Sequence, residues 1–256
     1  MLISLLLVLS VVACETVPIT GRSQLVLIPE VTEVKMGLDS YQQILGKSKV
    51  SSDPRVVEQV TRVGRRIAEA TGRADYQWEF KVIEDTQVNA FCLPGGKVAV
   101  YTGMLPVAGD DAGLAAVLGH EVSHALARHG GERMSQQLAV EGVTLAGAQA
   151  LLAGSDPRFV QLAAAALGGV ATVGVLLPFS RAQESEADHL GLIYMAKAGY
   201  HPNAARDLWK RMAERSGGGQ SESSLAAFLS THPLPTTRIT QIEGWIPEAL
   251  KYYKPR

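Results

Sequence analysis

Two cysteines, Cys14 and Cys92, are all that the 256 residues contain. With one of them at the end of an apolar leader, no disulfide framework holds this chain, and its stability must come from a core and from whatever it binds. A surplus of charge is missing too: 24 basic against 25 acidic residues leave a net charge of −1. That balance gives no electrostatic footprint for nucleic acid. No internal repeat is present, which removes solenoid architectures. The apolar run at the start, Leu2 to Ala13, is too short for a comfortable bilayer span. What remains is a chain long enough for one sizeable core and too short for three domains.

The first fourteen residues end Val11-Val12-Ala13-Cys14, an h-region followed by small residues and a cysteine, in the pattern of a bacterial lipobox. No Lys or Arg precedes the run. Residues 1–13 are therefore expected to be a lipoprotein signal peptide and Cys14 a lipidation site. Glu15 in place of Asp after the cysteine leans the expectation toward the outer rather than the inner membrane. Residues 14–29 are expected as an extended tether, with Leu25 to Ile28 as a docked strand, and residues 30–256 as a single domain.

Helical spacing recurs over Glu30–Leu45 and Asp53–Thr71. The second carries Asp53 at the N-cap, Pro54 at the first helical position and Gly72 just past the end. Val56, Val57, Val60, Val63, Ile67 and Ala70 form its apolar stripe. Tyr76–Ile83 alternates and is rich in aromatic and branched residues, so it predicts a strand. Asn89-Ala-Phe-Cys-Leu-Pro-Gly-Gly96 follows, then a second strand, Lys97–Thr102. Residues 139–178 are the least polar part beyond the leader. Phe159–Leu177 approaches the length of a bilayer span but is rich in Ala and Gly, so a buried or membrane-facing helical pair broken near Gly154 is preferred. Ser180–Ala198 predicts a helix closed by Gly199 and Pro202, Ala204–Arg215 another, Leu225–Leu229 a short apolar turn, and Ile239–Glu243 a last helix.

The densest chemistry lies in Gly113–Met134, which predicts one long helix. Within it, His120-Glu-Val-Ser-His124 places two imidazoles four residues apart, on one face and one turn apart, able to address a single metal ion. Glu121, about 100° round the helix, can reach a water at that metal without coordinating it. A third ligand must come from elsewhere, leaving one position open. Glu184 and Asp188, again four apart, share a face of the Ser180–Ala198 helix. Glu184 would complete the metal site, and Asp188 would accept a hydrogen bond from the far nitrogen of a liganding histidine. Glu186 lies off that face. Two imidazoles and a carboxylate favour zinc, one ion per chain.

These motifs, with Ser180-Arg-Ala-Gln-Glu-Ser-Glu-Ala-Asp188 and Ser230-Thr-His-Pro233 in the right order, resemble the HtpX/BepA/LoiP/Oma-like family of zinc metallopeptidases. The likeness extends to Pro18-Ile-Thr-Gly-Arg22, Asn89-Ala-Phe91, Leu93-Pro-Gly-Gly96 and Ala198-Gly-Tyr200, and with the lipobox it points to the periplasmic lipoprotein branch. The resemblance implies an α+β, mainly helical zincin-like core with a small sheet beside the HExxH helix. It implies His120, His124 and Glu184 as zinc ligands, Glu121 as general base and Asp188 as their support. His232 would either approach the zinc and switch the site off or stabilise the oxyanion, and Arg238 would orient its loop. The strand Gly96, Lys97, Val98, Ala99 and Val100 is expected at the sheet edge that pairs with an extended substrate. Cys92 and His201 depart from the usual family residues. The implied activity is endoproteolysis of misfolded or unassembled cell-envelope proteins, by an enzyme held through its lipid in the bacterial envelope. The rival reading is a latent chaperone-like or adaptor protein whose zinc site His232 blocks.

Overall fold

The computed structural model describes residues 14–139, 179–216, 222–233 and 237–255. The chain divides into two compact units, one of residues 1–30 with 128–177 and one of residues 31–127 with 178–256.

In the first unit the expected tether is a hairpin. Strands β1 (Cys14–Thr16) and β2 (Ser23–Leu25) pair antiparallel, with Cys14 opposite Leu25. The turn between them closes through Val17 N–H to Arg22 O at 2.9 Å and Gly21 N–H to Val17 O at 3.0 Å. Arg22 then grips buried Glu132 with two nitrogens, at 2.7 and 2.9 Å, the fork-to-fork geometry that a guanidinium gives a carboxylate. Ser135 Oγ accepts from Leu27 N–H at 2.8 Å.

The second unit begins with helices α1 (Glu30–Lys47) and α2 (Pro54–Thr71). The ends of α2 follow from its sequence. Asp53 accepts from Arg55 N–H at 3.0 Å, satisfying one of the first-turn donors, and Gly72 takes the left-handed conformation at φ 73°. Val60, Val63 and Ile67 are wholly buried, while Val56, Val57 and Ala70 are half-buried at the margins of the stripe.

Strands β3 (Glu79–Ile83), β4 (Ala90–Leu93) and β5 (Lys97–Tyr101) form one sheet in the order β3-β5-β4. β5 pairs parallel with β3, Glu79 opposite Lys97, and antiparallel with β4, Leu93 opposite Lys97. This corrects the expected substrate strand. Both sides of β5 are taken, and Val98, Ala99 and Val100 are fully buried, so Gly96–Val100 cannot accept a further strand. The edge beside the HExxH helix is β4, which packs against that helix. A strand entered from a Gly-Gly turn can be central or at an edge, because strand order is set by distant segments and not by the turn.

After a short helix α3 (Leu105–Ala108) comes α4 (Asp111–Leu126), capped by Asp110, whose carboxylate accepts from Gly113 N–H at 2.8 Å. Every residue from Gly113 to Leu126 is buried. The expected single helix to Met134 is broken: Arg128 sits at φ 54° and a separate helical stretch covers residues 129–139. The side chain of Arg128 donates to Ile28 O at 2.6 Å and pairs with Glu15, contacts that hold a conformation costly for a residue with a Cβ.

The chain then supplies α5 (Arg181–Lys197), α6 (Asn203–Ser216), α7 (Glu222–Thr231) and α8 (Arg238–Ala249). A full capping box starts α5: Ser180 Oγ accepts from Gln183 N–H at 3.2 Å and Gln183 Oε1 from Ser180 N–H at 3.1 Å. α4 and α5 meet at glycines. A Cβ on Gly119 would fall 2.9 Å from Gly191 O, and one on Gly191 would fall 3.0 Å from His120 N. Only hydrogen at both positions allows the two backbones this approach. α7 and α8 are longer than their sequences predict. The architecture is α+β and mainly helical, as expected. No helix among the described residues is long and apolar enough to cross a membrane, and the candidate span Phe159–Leu177 and the Gly217–Gly219 run lie outside them.

Candidate metal centre

The close contact of α4 with α5 decides the site, because His120 stands one residue from the glycine junction and Glu184 two turns before Gly191 on the facing helix. His120 Nε2 lies 3.1 Å from His124 Nε2, and His124 Nε2 lies 3.2 Å from Glu184 Oε1. His232, at the end of α7, brings Nδ1 to 3.2 Å from His120 Nε2 and 3.0 Å from Glu184 Oε1. All four residues are buried, and their candidate ligand atoms lie within 4.8 Å of one another.

Donors held about 2.1 Å from a tetrahedral zinc ion are separated by about 3.4 Å, so spacings of 3.0 to 3.2 Å match the edges of such a polyhedron. The donor chemistry fits as well. Asp188 Oδ1 is 2.9 Å from His120 Nδ1. A carboxylate only accepts, so Nδ1 carries the proton and Nε2 turns its lone pair inward. Ring nitrogens facing each other at 3.1 Å repel unless a proton or a cation lies between them. The residues present therefore fit a zinc ion, with His120, His124 and Glu184 as holders and His232 as a fourth donor.

Titration reflects the same crowding. Burial alone would lower the pKa of His120, yet the carboxylates of Glu184 and Asp188 outweigh it and raise it to about 9. Glu184 is held far below the usual carboxylate range: burial opposes this, but His120 and the hydrogen bonds from His120, His124 and His232 prevail. Glu121 moves the other way, raised by burial, with His232 and His120 only partly compensating. Its Oε1 is buried without a hydrogen-bond partner and lies 3.7 Å from His232 Nε2. A carboxyl in that setting holds a proton more readily than a solvated one, as a proton carrier must.

Aromatic rings wall the centre. Phe179 stacks on His124 at 3.7 Å, Phe228 on His232 at 4.5 Å, and Trp209 meets His120 edge-on at 5.6 Å. The sequence reading passes over these three, as it does Gly119 and Gly191. Glycines inside two helical patterns are the one signal that could have marked the junction. Of the remaining residues singled out, Glu186 is buried outside the ligand group. His201 packs on Tyr253 at 5.0 Å. Cys92 is a buried free thiol in β4, its pKa raised by burial and then by the nearby Glu121 carboxylate.

Comparison with known proteins gives these positions a context. A family profile described as peptidase family M48 matches residues 54–246. The chain is 40% identical to the mitochondrial metalloendopeptidase OMA1 of Schizosaccharomyces pombe over 92% of its own length and 67% of that enzyme's. It is 30% identical to the OMA1 of Saccharomyces cerevisiae over 93% of its length and 70% of that protein's. The beta-barrel assembly-enhancing protease of Escherichia coli K12 is 27% identical over 89% of this chain, which spans less than half of that protein, 46%. The expected bacterial-envelope location is overturned here, since the relatives matched at 30 and 40% over nine-tenths of the chain are mitochondrial enzymes.

Proposed function

The chain belongs to peptidase family M48, a zinc metalloendopeptidase by that membership, and from this premise we propose how its own residues act and on what. His120 Nε2, His124 Nε2 and one oxygen of Glu184 hold the zinc, and Glu121 is the general base. The observation that carries this is the convergence of those three residues at 3.1 to 3.5 Å beside a buried Glu121 oxygen that has no hydrogen-bond partner. When bound, zinc supplies Lewis acidity, polarising a carbonyl and lowering the pKa of water toward about 7. Glu121 takes the proton of the attacking water at its carboxylate and returns it to the departing amine. Asp188 keeps the imidazole of His120 in the liganding tautomer. The substrates are misfolded or unassembled proteins, bound in extended form along the edge of β4, which among the described residues pairs only with β5. Acylation of Cys14 would tether the enzyme to a membrane, which intact-mass measurement tests directly.

Glu121→Gln should retain zinc and lose turnover of casein by about 10³-fold, within the range for a general base, whereas His124→Ala should lose both zinc and turnover. Full proteolysis by purified Glu121→Gln protein would sink the assignment.

One observation favours a second reading, in which the resting enzyme is latent. His232 Nδ1 stands within 3.2 Å of His120 Nε2, a distance suited to a fourth ligand, and a site closed by four protein donors leaves no room for water. His232→Ala should then raise chelator-sensitive cleavage. If cleavage falls instead, His232 serves the reaction.

A further inference from the structure

Arg238 opens α8 and is 2% exposed. Its Nε donates to Asp188 Oδ2 and its Nη2 to Asp188 Oδ1, both at 2.7 Å. Its Nη1 donates to Pro233 O at 3.1 Å and makes an ion pair with Glu184 Oε2 at 2.9 Å, off the direction of a hydrogen bond. The plane of the guanidinium is clamped from one side by Trp209, whose ring centre is 3.4 Å from Cζ. One side chain thus touches two carboxylates of α5, the backbone directly after His232 and the aromatic ring that borders His120.

We propose that Arg238 is a positioning residue of the metal centre, fixing the Glu184 carboxylate against the three imidazoles and Asp188 in the orientation that accepts from His120. The inference rests on the ligand assignment above. Its logic is geometric. A glutamate free to turn can leave the ligand group, and pairing Oε2 with the guanidinium holds the carboxylate with Oε2 3.5 Å from His120 Nε2 and Oε1 3.2 and 3.0 Å from His124 and His232. Asp188 needs both oxygens fixed to keep Oδ1 at 2.9 Å from His120 Nδ1, and the two-point grip of an arginine fork supplies that fixation where a lysine would give one point. The contact to Pro233 O places the peptide that follows His232 on the same guanidinium.

Two blander accounts make different forecasts. If Arg238 is only a nearby charge, it repels a cation, and removing it should tighten zinc binding. If it is only a stabilising buried ion pair, its loss should lower the melting temperature and leave the zinc affinity of the folded protein unchanged. A positioning role predicts weaker binding despite the lost repulsion.

The test measures zinc affinity of the full chain by competition with a chromophoric chelator, with folding checked by circular dichroism, for wild type, Arg238→Gln, Arg238→Lys, Trp209→Leu and Glu184→Gln. Both Arg238 variants are expected to bind zinc about 10- to 100-fold more weakly, the usual effect of losing a partner of a metal ligand. Trp209→Leu, which keeps every charge and frees the guanidinium plane, should shift affinity in the same direction and serves as the reading if Arg238→Gln does not fold. Affinity equal to wild type, or tighter, in the folded variants overturns the proposal. Glu184→Gln separates the two levels. If it binds zinc as wild type does, the ligand assignment itself fails. If it loses zinc while Arg238→Lys and Trp209→Leu do not, only the role of Arg238 fails.

Discussion

Helices α2 and α4 are of similar length, 18 and 16 residues, and both touch the same core, yet they carry information in opposite ways. α2 shows one apolar stripe and an opposite face rich in arginine, including Arg62, which pairs with Asp111 at the start of α4. α4 is buried on all sides, between α5, β4, α2 and α6. Its polar residues are therefore not a solvated face: His120, Glu121, Ser123 and His124 are each 4% exposed or less. A buried polar group is costly unless it is partnered, and a helix that retains four of them in its interior is shaped around what they bind. α2 covers; α4 presents.

The sharpest way to test that contrast is to add the same methyl group to each helix system. Gly191→Ala would put a Cβ 3.0 Å from the backbone of His120, and Gly64→Ala would put one 2.4 Å from Phe80. Overpacking of this kind costs about 1–3 kcal/mol, so both variants should melt earlier. Only Gly191→Ala should also weaken zinc binding, because it pushes α5, and with it Glu184, away from the paired imidazoles. Equal zinc affinity in the two variants would dissolve the distinction.

A smaller effect should appear with pH. In metal-free protein the pKa of His120 is raised from 6.5 to about 9, so its charged form stabilises the fold. That contribution is complete below the unfolded value and is lost as pH rises through the folded one. The melting temperature of the metal-free protein should fall between pH 6.5 and 9. Zinc requires the neutral ring, so zinc affinity should rise over the same interval. His120→Gln should flatten both trends, whereas a variant on the outer face of α2 should leave them intact.

The smallest effect belongs to the covering helix. Asp53→Ala removes the acceptor of the Arg55 N–H and should cost about 1 kcal/mol, read as a lower denaturation midpoint, with zinc content and proteolysis unchanged. Loss of activity in folded Asp53→Ala protein would mean that α2 does more than cover.

Local chemistry made much of the fold legible. The cap at Asp53, the proline at 54 and the spacing of Val60, Val63 and Ile67 mark α2, and Gly199 with Pro202 marks the end of α5, almost to the residue, because each reflects contacts within one or two turns. The four-residue spacing of His120 and His124, and of Glu184 and Asp188, states which side chains share a face. Errors arose where a distant segment decides. Nothing local in Gly113–Met134 announces that Arg128 will turn left-handed, since its partners are Glu15 and Ile28. The apolar run of Lys97–Tyr101 shows that it is a strand and does not show which strands lie on either side of it.

The sequence by itself determined the donors: two imidazoles one turn apart, a carboxylate on another helix and a glutamate beside them, because helix geometry converts spacing into direction. Only the tertiary structure decided that they meet. The approach of α4 to α5 at Gly119 and Gly191, the arrival of His232 from the end of α7 and the grip of Arg238 on Asp188 and Glu184 join residues 48 to 112 positions apart. Contacts at such separations are set by how surfaces pack, which no local pattern encodes.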